Sequence, residues 1–88
     1  MPKVIVAQSV IDIDRWLGGK AERVEALGTV ATSVTDHVAL DGGNQTAVSM
    51  EVDDVATLQA MVSSPPPELM ALMEKHGVIP PLAIYVEK

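Results

Sequence analysis

Val4 and Val6 lie on one face of an extended segment from Lys3 to Ile11, and Ile5 and Ala7 lie on the other. A strand that is apolar on both faces is normally covered on both faces. Gln8 and Ser9 bring a polar group to each face near its end. From Asp12 to Leu27 the period lengthens to three and four. Ile13, Trp16, Leu17, Ala21, Val24 and Leu27 form one stripe, which predicts a helix. Asp12 or Asp14 suits its first amides and its positive dipole end, and Gly28 suits its stop. Gly18-Gly19 falls inside this stretch, and each glycine costs about 1 kcal/mol relative to alanine there. The pair predicts either a bend or a close neighbour.

Thr29 to Leu40 and Gln45 to Val52 read as the two arms of a hairpin about Asp41-Gly42-Gly43-Asn44. In the second arm Val48, Met50 and Val52 share one face, while Ala47, Ser49 and Glu51 share the other. The first arm is less regular, with a bulge or early turn expected at Thr35-Asp36-His37. Asp53-Asp54 offers the start of a helix through Val55, Leu58, Met61 and Val62. The run Ser63-Ser64-Pro65-Pro66-Pro67 breaks it, since proline inside a helix removes an amide donor and clashes one turn back. A second helical piece starts near Pro67 or Glu68 and ends at His76-Gly77. Val78 to Pro81 reads as a connector, and Leu82 to Glu87 as a final strand, with Ala83 and Tyr85 opposite Leu82, Ile84 and Val86.

The order strand, helix, strand, strand, helix, strand predicts an α+β, ferredoxin-like βαββαβ domain spanning residues 1–88. It has a four-stranded antiparallel sheet with helices on one face. The other face then carries Ile5 or Val4, Ala7 or Val6, Ala83 and Tyr85. Apolar patches of that kind mark interaction surfaces, and a two-fold homodimer through the open sheet face is the simplest cover.

Composition narrows the chemistry. The chain has 88 residues, no cysteine and a formal net charge of −6. A disulfide framework, thiolate metal site or cysteine nucleophile is therefore excluded. The acidic balance, one Trp, one Tyr and no Phe argue against a nucleic-acid partner. The opening residues lack a signal-peptide pattern, and no apolar run approaches the roughly 20 residues of a membrane span. The expectation is a cytoplasmic protein without a membrane partner.

Val10-Ile11-Asp12-Ile13-Asp14-Arg15-Trp16 resembles the Asp-aromatic-Asp-x-Trp opening of small dimeric α/β-barrel proteins, with Ile13 in place of the aromatic. Glu51-Val52-Asp53-Asp54 resembles the end of that family's third strand. Ser64 to Gly77, with Pro65, Glu68, Leu69 and Met73 and followed by Val78, resembles its Ser-Pro-Glu-Leu helix. Pro81 before the last strand also fits. The resemblance covers nearly the whole chain. It implies a dimeric α/β barrel within a superfamily that includes cofactor-independent, antibiotic-biosynthesis-type monooxygenases, polyketide cyclases, haem-degrading enzymes and stress-responsive proteins. One fold there carries many chemistries. The histidine common at the end of the family's first strand is replaced here by Gln8-Ser9, so chemistry that depends on it is not implied.

Candidate groups follow from placement. Glu51 on a central strand, desolvated near a dimer cavity, would serve as a general base, and its alternative is a solvated or ion-paired strand end. His37 is either a base or a surface histidine, and its neighbour Asp36 points to the opposite face. Tyr85 offers a hydroxyl to a substrate or to a second subunit. Gln8, Trp16, Met50 and Leu72 would line a helix–sheet cleft for a small hydrophobic ligand, with core packing as the alternative for Trp16 and Met50. His76 reads as a helix-end residue, and Asp12 with Asp14 as caps rather than metal ligands. No metal or cofactor is expected. Two functions remain: a cofactor-independent monooxygenase- or cyclase-like enzyme, or a non-catalytic dimeric module for ligand binding or protein association.

Overall fold

The computed structural model describes residues 2–28 and 30–88. Its elements are β1 (Lys3–Val10), α1 (Ile13–Leu17), α2 (Lys20–Leu27), β2 (Ala31–Val38), β3 (Gln45–Val52), α3 (Val55–Ser63), α4 (Pro67–Lys75) and β4 (Val78–Val86). The strands form one antiparallel sheet in the order β2-β3-β1-β4. This is the ferredoxin-like α+β arrangement.

Register sorts the side chains. Val4 lies opposite Met50, and Val6 lies between Val48 and Ile84. Val4, Val10 and Val52 are fully buried on this side, where Trp16 of α1 and Leu58 of α3 pack against them. Burying each such side chain contributes roughly 1.5–3 kcal/mol. The other face carries Ile5, 39% exposed, and Tyr85, 61% exposed, which are cross-strand neighbours. Of the two alternatives for β1, Ile5 and Ala7 therefore face outward.

The first helical stretch divides at Gly18-Gly19. Asp12 caps α1 by accepting from the Arg15 amide at 3.1 Å. Gly18 ends α1 and Gly19 begins α2. The division changes the helical phase, leaving Val24 40% exposed while Arg23 turns inward. Asp54 caps α3 through the Thr57 amide and hydroxyl. Pro67 starts α4, which ends at His76 before Gly77 at φ +73°. Arg15 clamps that end, donating from Nε to the Lys75 carbonyl at 2.6 Å and from Nη2 to the Glu74 carbonyl at 2.9 Å. A cation there suits the negative end of the helix.

The strands differ from expectation in two main places, and one expected limit falls on a residue that is not described. Thr29, expected to begin β2, lies outside the described residues. The irregularity in β2 lies between Thr32 and Thr35, earlier than Thr35-Asp36-His37, with Ser33 at φ +54°. The expected connector Val78 to Pro81 belongs to β4. Val78 and Ile79 pair with Val10 and Ser9, and a register shift accommodates the prolines before Ala83 meets Ala7. No helix among the described residues is long and apolar enough to cross a membrane.

Candidate functional site

A cavity of about 80 Å³ lies between the sheet and the helices. Val6, Gln8, Val48 and Met50 form its floor, Leu69, Leu72 and Met73 its cover, and Trp16, Arg23 and His76 its polar end. A water molecule needs roughly 10–15 Å³, so the space exceeds a single water site. An apolar cavity that takes a benzene ring is nearer 150 Å³. Val62, Met73, Val78 and Leu82 also line an outer cleft of about 800 Å³ between α3, α4 and β4. Cavity and cleft together reach the size of ordinary small-molecule sites, and these four side chains stand between them.

Local sequence explains the polar end. The break at Gly18-Gly19 carries α2 round so that Arg23 lies over the Trp16 ring, 4.2 Å from its centroid. Its Nη1 donates to the Trp16 carbonyl at 2.6 Å and its Nη2 to Asp36 Oδ2 at 2.7 Å. Asp36 reaches it from β2 because residues opposite Val48 face the helices. This ion pair is buried, with side-chain exposures of 11% for Arg23 and 6% for Asp36. His76 is 3% exposed. Its Nε2 lies 3.2 Å from Glu22 Oε1, and its Nδ1 lies 3.5 Å from Arg23 Nη1. With Nε2–H donated to the carboxylate, Nδ1 is the acceptor toward Arg23. Glu22 also receives Lys75 Nζ at 3.1 Å. The bond from His76 and then that from Lys75 hold the Glu22 carboxyl below its ordinary 4.5.

Among the described residues, three buried polar side-chain atoms have no protein partner: Trp16 Nε1, Arg23 Nε and Asp36 Oδ1. Each such group costs about 1–3 kcal/mol unless something satisfies it. They belong to Arg23 and the two residues it contacts, Trp16 and Asp36, which makes this the most under-satisfied region of the described core. The Trp16 indole N–H reaches no backbone carbonyl. Gln8 donates instead across the floor, from Nε2 to Thr46 Oγ1 at 3.0 Å.

The structure separates the predicted residues into two groups. Gln8, Trp16, Met50 and Leu72 share the cavity. Glu51, His37 and Tyr85 lie on the opposite face of the sheet and do not reach it. There His37 Nε2 is 2.8 Å from Ser49 Oγ, and Ser33 Oγ donates to Glu51 Oε2 at 3.4 Å. Asp36 and His37 do point to opposite faces, as strand alternation requires. Arg23, Asp36 and His76 were not singled out as site residues from sequence. His76 nevertheless continues the stripe Leu69, Leu72, Met73 at helical spacing, a signal that places it inward. Among the described residues, no three His, Asp or Glu side chains converge as a metal-binding group.

No protein-family model matches this chain, and no curated protein matches it either. Solved structures do share its fold. One, an antibiotic biosynthesis monooxygenase, superposes with a TM-score of 0.67 at 17% identity, covering 100% of this chain and 97% of that one. A protein of Agrobacterium tumefaciens gives 0.66 at 13% identity, covering 100% and 92%. A dimeric ferredoxin-like protein from an uncultured marine organism gives 0.54 at 8% identity, covering 99% and 96%. The likeness extends over the whole chain and is one of fold.

Proposed function

We propose that the cavity binds a small, flat, largely apolar molecule with an oxygen substituent, and that the protein is a cofactor-independent, monooxygenase-like enzyme acting on it. The observation that carries this reading is an otherwise apolar cavity whose polar end holds a buried guanidinium with an unpartnered N–H. Apolar walls with a few convergent polar groups are the usual form of a ligand site. The monooxygenase among the solved structures of this fold supports the reaction class.

Reactions of this kind begin with removal of a proton from the substrate, which leaves an electron-rich anion to react onward. His76 Nδ1 is the acceptor positioned for that proton, and Glu22 orients the ring through Nε2. The 3.5 Å approach of Arg23 to Nδ1 is at the outer limit of a hydrogen bond, so a substrate hydroxyl entering there displaces little. Arg23 then faces the developing negative charge in a water-poor site, where such stabilisation is greatest. Rotation of flexible Met73 joins the cavity to the outer cleft and admits the rest of the molecule.

The homodimer belongs to the same proposal. Ile5 and Tyr85 leave an apolar patch on the open sheet face, and a second copy covers it by two-fold symmetry. A dimeric protein of the same fold supports this.

Trp16, the sole tryptophan, reports on the cavity. Titration with 1-naphthol is expected to change its fluorescence, and Leu72→Phe is expected to weaken binding by filling the space. Dioxygen uptake with dihydroxynaphthalenes tests turnover. No response from Trp16 to any such ligand overturns the site. Binding without uptake favours a non-catalytic ligand-binding module, for which the existing engagement of both His76 ring nitrogens speaks.

A further inference from the structure

We infer that Asp36 sets the charge selectivity of the cavity: by neutralising Arg23 from β2, it makes the site select uncharged ligands over permanent anions of the same shape. The inference rests on the reading that the cavity is a ligand site. Asp36 is not among the residues lining the cavity, so it acts through Arg23 as a positioning and charge-balancing residue.

The argument is a local charge count. The cations in the ion-pair network at the cavity's polar end are Arg23 and Lys75, with His76 as a third only when protonated; Arg15, exposed at the end of α4, does not line the cavity. The anions are Asp36 and Glu22. Arg23 is matched to Asp36 at 2.7 Å, and Lys75 to Glu22 at 3.1 Å. No surplus positive charge remains for an incoming carboxylate. That carboxylate would instead enter a desolvated space beside one already present, and like charges brought together there are strongly unfavourable. The formal charge of −6 over the whole chain opposes anions further. A neutral amide or hydroxyl meets no such penalty. It can accept from Arg23 and Trp16, the two lining residues that carry the unpartnered Nε and Nε1. The guanidinium is thus held for charge that develops on the ligand after it binds.

Isosteric probes separate charge from shape: 1-naphthamide and 1-naphthoate, titrated at neutral pH with Trp16 fluorescence as readout. The wild-type protein is expected to bind the amide at least about tenfold more tightly, a difference of 1.4 kcal/mol. Asp36→Asn keeps the shape and leaves the Arg23 charge unmatched. It is expected to move the amide-to-naphthoate ratio by at least about tenfold toward naphthoate. The double variant Arg23→Gln, Asp36→Asn removes both charges and is expected to restore preference for the amide. A purely structural role for Asp36 would weaken both probes together without moving their ratio. Equal binding of the two probes by the wild-type protein overturns the inference, whether or not Asp36→Asn folds. So does a folded Asp36→Asn with an unchanged ratio. If neither probe nor 1-naphthol binds, the ligand-site reading itself fails and takes this inference with it.

Discussion

Replacing Gly19 with alanine sets two effects of opposite sign against each other. Gly19 begins α2 at φ −92° and ψ 7°, a conformation that alanine adopts without strain. Restricting the unfolded chain alone would then stabilise the protein by about 0.4–1 kcal/mol. A β-carbon at this position, however, would overlap the His76 imidazole. That ring is 3% exposed and held by Glu22 on one side and Arg23 on the other, so it cannot simply swing into solvent. Overpacking costs typically 1–3 kcal/mol, and a displaced hydrogen bond about 1 more. Overlap wins, with a net loss of about 2 kcal/mol. Gly18→Ala is the internal control. Its β-carbon would meet only the Asp14 and Arg15 carbonyl oxygens, at 3.5 and 3.6 Å, which are ordinary contacts. With φ at −63° it keeps the entropic gain. Urea and thermal unfolding should therefore move in opposite directions for two adjacent alanines. Gly19→Ala should lower Tm by roughly 10 °C, and Gly18→Ala should raise it by a few degrees. The His76 ring resonances should shift in Gly19→Ala alone. A Gly19→Ala protein as stable as Gly18→Ala would refute the seating of His76 against this turn, and with it the geometry of the polar end.

Acid should weaken the protein through Glu22 and Asp54. Both have folded pKa values below their ordinary 4.5 and 3.8, chiefly from the His76 bond to Glu22 and the Thr57 bonds to Asp54. Their contributions are complete above those ordinary values and disappear as pH falls through the lower folded ones. Glu22→Gln should flatten this part of the Tm-against-pH curve, and an unaltered acid limb would contradict it. Leu58→Ala, at a side chain 1% exposed beside the cavity, should cost about 2–5 kcal/mol in urea unfolding. A loss under 1 kcal/mol would mean that the helical layer is loosely seated. Tyr85→Asp should convert the proposed dimer to monomers in analytical ultracentrifugation, and an oligomer unchanged from the wild type would remove the open face from the interface.

The fold followed from short-range pattern because burial imposes period. Gln45–Val52 alternates cleanly and its strand limits match expectation, since one face is packed and the other is not. Gly18-Gly19 was readable as a bend or a close contact, and it is both. The site was readable only in its apolar part. Gln8, Trp16, Met50 and Leu72 announce themselves by facing inward, whereas Arg23 and Asp36 are ordinary surface residue types until a helix break and a strand register bring them within 2.7 Å. That meeting joins positions thirteen residues apart across the Gly28 turn, and no local period encodes it. The placement of Glu51 opposite Val48, Met50 and Val52, and of Tyr85 on the open face, was legible from alternation; register sets His37 on that face too, so none of the three shares the cavity with Gln8, Trp16, Met50 and Leu72.

Pro80 and Pro81 sit within β4, which has a neighbour on one flank only. A strand with a free flank ordinarily offers a row of amides and carbonyls to any passing chain, but proline has no amide hydrogen to offer. At the opposite margin, β2 is distorted around Ser33 and presents no straight ladder either. Lateral growth of the sheet into ribbons or fibres is thus blunted at both rims, which leaves stacking on its broad side as the open geometry for self-recognition.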